Sequence, residues 1–356
     1  MSKHKRQISY LLLALLFTKA VIANEQESQT LANVNALMKQ EQHEEVISIM
    51  EELPSASLSF DHYKVYVAAA ASIDLDDAED IAIQAVENLP DDPDVYLLHA
   101  SIMGQQAQTS VFSALSYASK ALKSLKKAVT LAPSEPKYRL ALMGFYLAAP
   151  SIAGGDEELA YQEAQSIAQL DKIYGHVALA RYYQATGDSQ KAIEKLQVAS
   201  ESNPDNVNIL DTYASVLVQS EKYSKAIEIY QKIINLPLPQ ITENLEELKP
   251  EALENEKQLR LNSQYQIGRV ALLGDVKHSE GITSLQQYLE TLQATSVDVR
   301  GLPSSNWAHL RMAGLLFATK QYKASKEKLD ALIVDKNDDQ MKSAFKELRK
   351  KLKSAL

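Results

Sequence analysis

The stretch Gln190, Lys191, Ala192, Ile193, Glu194 returns one period later as Ser224, Lys225, Ala226, Ile227, Glu228. Each copy sits in the same apolar frame. Leu179, Ala180 and Tyr183 precede the first, and Leu196 and Ala199 follow it; Leu210, Tyr213, Ala214 and Leu217 precede the second, and Tyr230 and Ile233 follow it. Apolar residues three and four apart place one oily stripe on a helix. Two such stripes per period predict two helices per unit, neither of which covers its apolar face without the next unit.

Working outward, Ala78, Ala82, Ala85 and Pro90 repeat the second half of the unit, as do Ala121, Leu125, Ala128 and Pro133. After a polar stretch the pattern resumes with Tyr265, Gly268 and Ala271, then Gly281, Leu285 and Tyr288, and again with Met312, Ala313 and Leu316 before Ser325, Leu329 and Leu332. With its small residues at the eighth and twentieth places and proline near the thirty-second, the pattern resembles the tetratricopeptide repeat family. The resemblance covers nearly all of residues 25–339. It implies an all-α, right-handed superhelical solenoid of about eight helix pairs, closed by a C-terminal capping helix. The tract Phe145, Tyr146, Ala149, Pro150, Gly154, Gly155, with Tyr265, Gly268 and Arg269, looks like a subgroup of exported bacterial repeat proteins, and implies no reaction.

The expected organisation is a signal peptide over 1–23, repeats over 24–240, an acidic linker or extended helix over 241–258, further repeats over 259–339, and a basic cap over 340–356. Irregular insertions are expected near 105–112, where Ala100 and Ala121 stand too far apart for the pattern, and near 149–156, where Pro150 ends a helix and glycines turn the chain. Lys3, Lys5 and Arg6 precede an apolar run from Ile8 to Phe17, with Val21, Ile22 and Ala23 beyond it, which is signal-peptide grammar. Cleavage is expected after Ala23, with Ala20 as the second choice, and no membrane anchor remains after it. A periplasmic or secreted protein follows from that reading.

Charge and composition narrow the function. The 356 residues are 46% hydrophobic and 23% charged, with a formal charge of -9 and no cysteine. Ordered globular structure is expected, without disulfide or thiolate metal site. Removing residues 1–23 deletes four basic residues and no acid, leaving 33 basic against 46 acidic and a charge of -13. Phosphate binding needs a basic face, so no nucleic-acid partner is expected. His43 and Glu44 begin a zincin-like pattern that Ile47 breaks. Asp335, Asn337 and Asp339 have calcium-loop spacing, but Gln340 and Lys346 occupy the positions that need glycine and an acid. The clusters Asp74, Asp76, Asp77 and Asp91, Asp92, Asp94 precede expected helices, where carboxylates cap free N–H groups. With no nucleophile elbow, phosphate loop or dinucleotide fingerprint, neither an enzyme nor a metal or cofactor site is expected.

The resemblance implies that repeat positions 2, 5, 9 and 12 of each first helix line a concave groove. Mapped onto this chain, those positions hold Phe60, Tyr63, Arg139, Tyr146, Tyr174, Arg181, Asp211, Tyr265, Arg269 and Trp307. Tyrosine, tryptophan and arginine are the types enriched at binding hot spots. The lysine and asparagine clamp of chaperone adaptors is missing, since Val177, Arg181 and Asp211 hold comparable places. The leading expectation is an extracytoplasmic scaffold for a protein or peptide, with Arg139, Arg181 and Arg269 receiving an acidic group. Two alternatives stand beside it: an accessory subunit or enzyme of envelope polymers docked through its repeats, and a homo-oligomer assembled through repeat faces.

Overall fold

The computed structural model describes residues 27–109, 112–237, 250–294, 299, 301–335 and 337–356. The expected signal peptide with both cleavage points, and 241–249 of the acidic stretch, lie outside the described residues. Among those residues the regular elements are all helical, and no helix is long and apolar enough to cross a membrane.

The chain divides into two compact units, Met1–Leu170 and Asp171–Leu356. The division falls inside the stretch that the sequence treats as one run, 24–240. Composition points to the acidic segment as the boundary, but apolar packing crosses it. Gly274 lies so close to Tyr223 that an added Cβ would meet the ring at 2.4 Å.

Among its described residues the first unit holds α1 (27–39), α2 (His43–Glu51), α3 (Phe60–Ala71), α4 (Leu75–Asn88), α5 (Pro93–Thr109), α6 (Ala114–Leu131), α7 (Pro136–Ala148) and α8 (Glu157–Leu170). The second holds α9 (Lys172–Ala185), α10 (Ser189–Ser202), α11 (Val207–Gln219), α12 (Tyr223–Asn235), α13 (Pro250–Leu273), α14 (His278–Ala294), α15 (Ser305–Ala318), α16 (Tyr322–Asp330) and α17 (Asp339–Ala355). Within each unit consecutive helices from α2 onward pack together, and first helices also touch the next first helix, as α3 touches α5 and α13 touches α15. In the first unit Val34, Val46, Met50, Tyr63, Ala69, Ala85 and Val95 share one core. In the second a core runs from Val177 to Leu316.

Local chemistry sets the hairpins. Gly187 and Glu221, at equivalent places in successive repeats, both take positive φ, 88° and 57°. Beside them the Asp188 N–H donates to the Tyr183 carbonyl and the Lys222 N–H to the Leu217 carbonyl, each at 2.8 Å. Lys320, φ 61°, closes α15 in the same way, with Gln321 N–H donating to Leu316 at 2.8 Å. This six-to-one bond satisfies a carbonyl that the helix end leaves free. Helix starts are capped by side chains: Asp171 accepts from the N–H groups of Ile173 and Tyr174, Asp188 from Lys191, Asn206 from Ile209 and Asp338 from Met341. Asp74 accepts from Asp76 N–H at 2.7 Å and Asp92 from Asp94 N–H at 2.9 Å, so both acid clusters supply caps.

The two irregular places have different causes. Between α5 and α6 both helices are lengthened, and only 110–111 of that connection lies outside the described residues. The added turn carries Gln106, 4% exposed, whose Nε2 donates to Asp76 Oδ1 at 2.7 Å. Around 149–156, Pro150 follows the end of α7, Ser151–Ala153 forms a single 3-10 turn, and Gly154 takes φ 96°. A Cβ on Gly155 would sit 1.7 Å from the Ala149 carbonyl oxygen, so glycine is needed there. Asp156 then caps α8 by accepting from Glu158 and Leu159. The detour lengthens the turn while α7 and α8 stay paired.

Candidate partner-binding surface

Ala180, Ala192 and Ala199 are each 0% exposed, as are their counterparts one repeat on, Ala214, Ala226 and Ile233. Buried alanines at the first two of those places let two helix backbones approach closely, at the spacing the family pattern requires. The buried places are those at which the sequence resembles the tetratricopeptide pattern. No family model matches the chain, and no curated protein does. Among solved structures the chain is similar to a thermophilic tetratricopeptide protein of Thermus thermophilus, at 17% identity and TM-score 0.42, over 54% of this chain and 98% of that one. It is also similar to the APC/C hetero-tetramer of Cut9 and Hcn1, at 15% identity and TM-score 0.44, over 90% of this chain and 55% of that one.

The ten residues mapped from the tetratricopeptide pattern separate by environment. In the first unit Tyr63 is 0% exposed; its hydroxyl accepts from Asn88 Nδ2 at 2.6 Å. Tyr146 is buried at the edge of the Phe145 ring, and burial pushes its hydroxyl pKa up. Phe60 packs against the core, partly buried. Arg139 places its guanidinium 2.8 Å from Glu163 Oε2 and donates to the Pro133 carbonyl, tying α7 to α8. These side chains are committed to the interior or to one another, although the mapping places Tyr63, Tyr146 and Arg139 on the groove. The reason is that a tyrosine or arginine on a first helix covers the following helix as readily as it faces outward.

In the second unit Tyr265 is likewise buried, its ring 5.6 Å from that of Tyr288. Trp307 donates from Nε1 to Asp338 Oδ2 at 2.8 Å, with the Arg311 guanidinium 4.9 Å over its ring, so it anchors the start of α17. Two of the ten are exposed, Tyr174 and Arg181, and Asp211 and Arg269 are half-buried, as are Phe60, Arg139 and Trp307. Tyr174 is 55% exposed. Arg181, two helical turns further along the same face of α9, is exposed. Asp211 on α11 is half-buried without an ion pair among the described residues, and burial raises its pKa. Arg269 on α13 is half-buried and held by Gln266, whose Oε1 accepts from its Nε at 2.6 Å.

Tyr230, which the sequence mapping passed over, is 2% exposed in the core of the second unit. The Tyr230 hydroxyl bonds to the Ser215 side chain, and burial pushes its pKa up to about 12, with Asp211 adding to the shift while the Ser215 bond and Arg269 oppose it. The signal was a tyrosine at the twenty-fourth repeat position, where an aliphatic residue fills the same space without burying a hydroxyl. Asn262, which accepts from Gln266 at 3.3 Å, and Gln184, which donates to Gln219 Oε1 at 2.6 Å, extend the polar surface across α9, α11 and α13. The ensemble can hydrogen-bond and ion-pair with a polar, charged guest. Among the described residues, no three His, Asp or Glu side chains gather as metal ligands do.

Histidines set a pH response. Burial lowers the pKa of His99, His176 and His309; in each case a nearby lysine acts the same way, and for His99 Glu79 opposes it. Both ring nitrogens of His176 are buried without a hydrogen-bond partner among the described residues. An imidazole whose folded pKa lies below its unfolded value of roughly 6.5 contributes stability above that value, and the contribution is lost as pH falls through it toward the folded pKa. The urea midpoint is therefore expected to drop on acidification from neutral pH, and His176→Leu to flatten the drop. An unchanged slope in that variant would contradict the assignment.

Proposed function

We propose that the chain is an extracytoplasmic scaffold that binds a protein or peptide on the first-helix face of its second unit. The observation carrying this reading is the state of Tyr174, Arg181 and Asp211: an exposed ring, an exposed guanidinium and a half-buried carboxylate, the last without an ion pair among the described residues, on the first helices of adjacent repeats. Aromatic and arginine side chains in such positions bury large area or make paired hydrogen bonds at small entropic cost. A guest with one acidic and one basic group fits Arg181 and Asp211. The extracytoplasmic location rests on the N-terminal signal grammar, and the scaffold role on the repeat type together with this open face.

Site-specific photo-crosslinkers test the proposal. Placed at Tyr174 and Arg181 of the processed protein in an envelope extract, both should trap one and the same protein, whereas a crosslinker at exposed Glu194 on the second helix should not. With that partner purified, Arg181→Glu together with Asp211→Lys should weaken its Kd by at least about tenfold, one ion pair at a partly dry interface contributing roughly 1.4 kcal/mol. Equal trapping at all three positions, or an unchanged Kd, would sink it.

A further inference from the structure

The last helix has a face that the scaffold reading does not use. α17 buries Met341 and Leu352 against α15 and α16, so its apolar side is already covered. The opposite side is cationic. Lys346, Lys350 and Lys353 follow at spacings of four and three, which puts them on one stripe, and all three are exposed. Among the described residues no carboxylate forms an ion pair with any of them. Their neighbours Lys342 and Lys351 are paired, with Asp339 at 2.6 Å and Glu347 at 2.7 Å, and Arg349 lies over the Phe345 ring.

Charge is divided unevenly along the chain. Residues 320–356 hold eleven basic and six acidic side chains, a surplus of +5, so with a formal total of -9 the part before them, 1–319, carries -14. That acidic part is repelled by any anionic surface while the terminal helix is attracted, and the pair of forces orients the molecule.

We propose that the exposed lysine stripe of α17 docks the protein on an anionic lipid bilayer. Three features favour a bilayer over an acidic polypeptide. Five of the six cations on α17 are lysines, compact and strongly hydrated point charges suited to a diffuse anionic surface, where bidentate recognition of single carboxylates uses arginine. The stripe lies on the outer side of a single helix roughly 25 Å long, with no facing wall to grip a peptide. Finally, the apolar side of the helix is spent on α15 and α16, so attachment is by charge alone, without insertion, and reversible by salt.

The test is co-sedimentation of the full chain with vesicles of phosphatidylcholine and of a phosphatidylcholine and phosphatidylglycerol mixture. Neutral vesicles report whatever the apolar N-terminal run contributes, and the wild type and variants share that run. Extra partitioning onto the mixed vesicles at low salt, lost at high salt, is expected. The triple change Lys346→Glu, Lys350→Glu and Lys353→Glu should reduce it on the order of a hundredfold, each lysine near the surface contributing about fivefold. Replacement of the same lysines by glutamine, which alters packing least, should reduce it in the same direction, with thermal melts confirming that both variants fold. Partitioning equal on the two vesicle types, or unaffected by either set of changes, overturns the proposal. Capture by soluble polyglutamate without vesicle binding overturns it in favour of an acidic protein partner. The stripe shares no residue with Tyr174, Arg181 or Asp211, so the crosslinking result and this one can fail separately.

Discussion

Gly268→Val is expected to melt the packing of α13 on α14. An added Cβ at Gly268 would lie 2.2 Å from Leu285 Cγ and within 2.8 Å of both its methyl groups, and Leu285 is 0% exposed with nowhere to turn. Gly281 faces the same seam, where a Cβ would come 2.7 Å from that of Ala271. Overpacking by a single methylene costs about 1–3 kcal/mol, and the branched side chain brings three carbons, so a loss of about 3 kcal/mol or more is expected. Because repeats are stabilised by their immediate neighbours, the loss should appear in urea as an early transition of the second unit while the first unfolds at its former midpoint. A single transition at the wild-type midpoint would refute the close-packed seam. Gly268→Ala should lie between the two.

Tyr63→Ala is expected to cost about 3–5 kcal/mol, the range for truncating a large aromatic in a core. The ring is fully buried in a core shared with Val46, Met50 and Ala85, and its hydroxyl joins α3 to Asn88 at the end of α4 and to the Ser55 carbonyl. Tyr63→Phe keeps the ring and strands Asn88 Nδ2, which should cost about 1 kcal/mol. The two variants thus separate packing from hydrogen bonding, and calorimetry reads both. If Tyr63 served a partner instead, the alanine variant would melt as the wild type does and only binding would change.

The fold was legible because its signal is redundant. Ala192 and Ala226 repeat at a fixed distance, the same small residues recur at Ala78, Ala82, Ala85, Ala121 and Ala128, and every one is at most 2% exposed. The site was less legible, for a physical reason. Positions 2, 5, 9 and 12 of a first helix lie at the border between the open face and the seam with the next pair. Tyr63, Tyr146 and Tyr265 turn into that seam, while Tyr174 turns outward. Rotamer and neighbouring volume decide between these outcomes, and neither is written in the spacing. Arg139 illustrates the same limit from the side of charge, since its partner Glu163 stands on the following helix, α8, whose register depends on the detour at Pro150. Similarly, the lengthening near residue 105 was visible as a distance that did not fit, but its cause, an extra turn holding Gln106 against Asp76, was not.

Among the described residues, the helices from α2 onward pack chiefly on elements of their own unit next to them or next but one along the chain. Such local packing keeps the entropic cost of closing loops small, so ordering can proceed as fast as residues become available. A polypeptide delivered end first, as through a narrow pore, can then seat each hairpin on the one before it without waiting for its own far terminus.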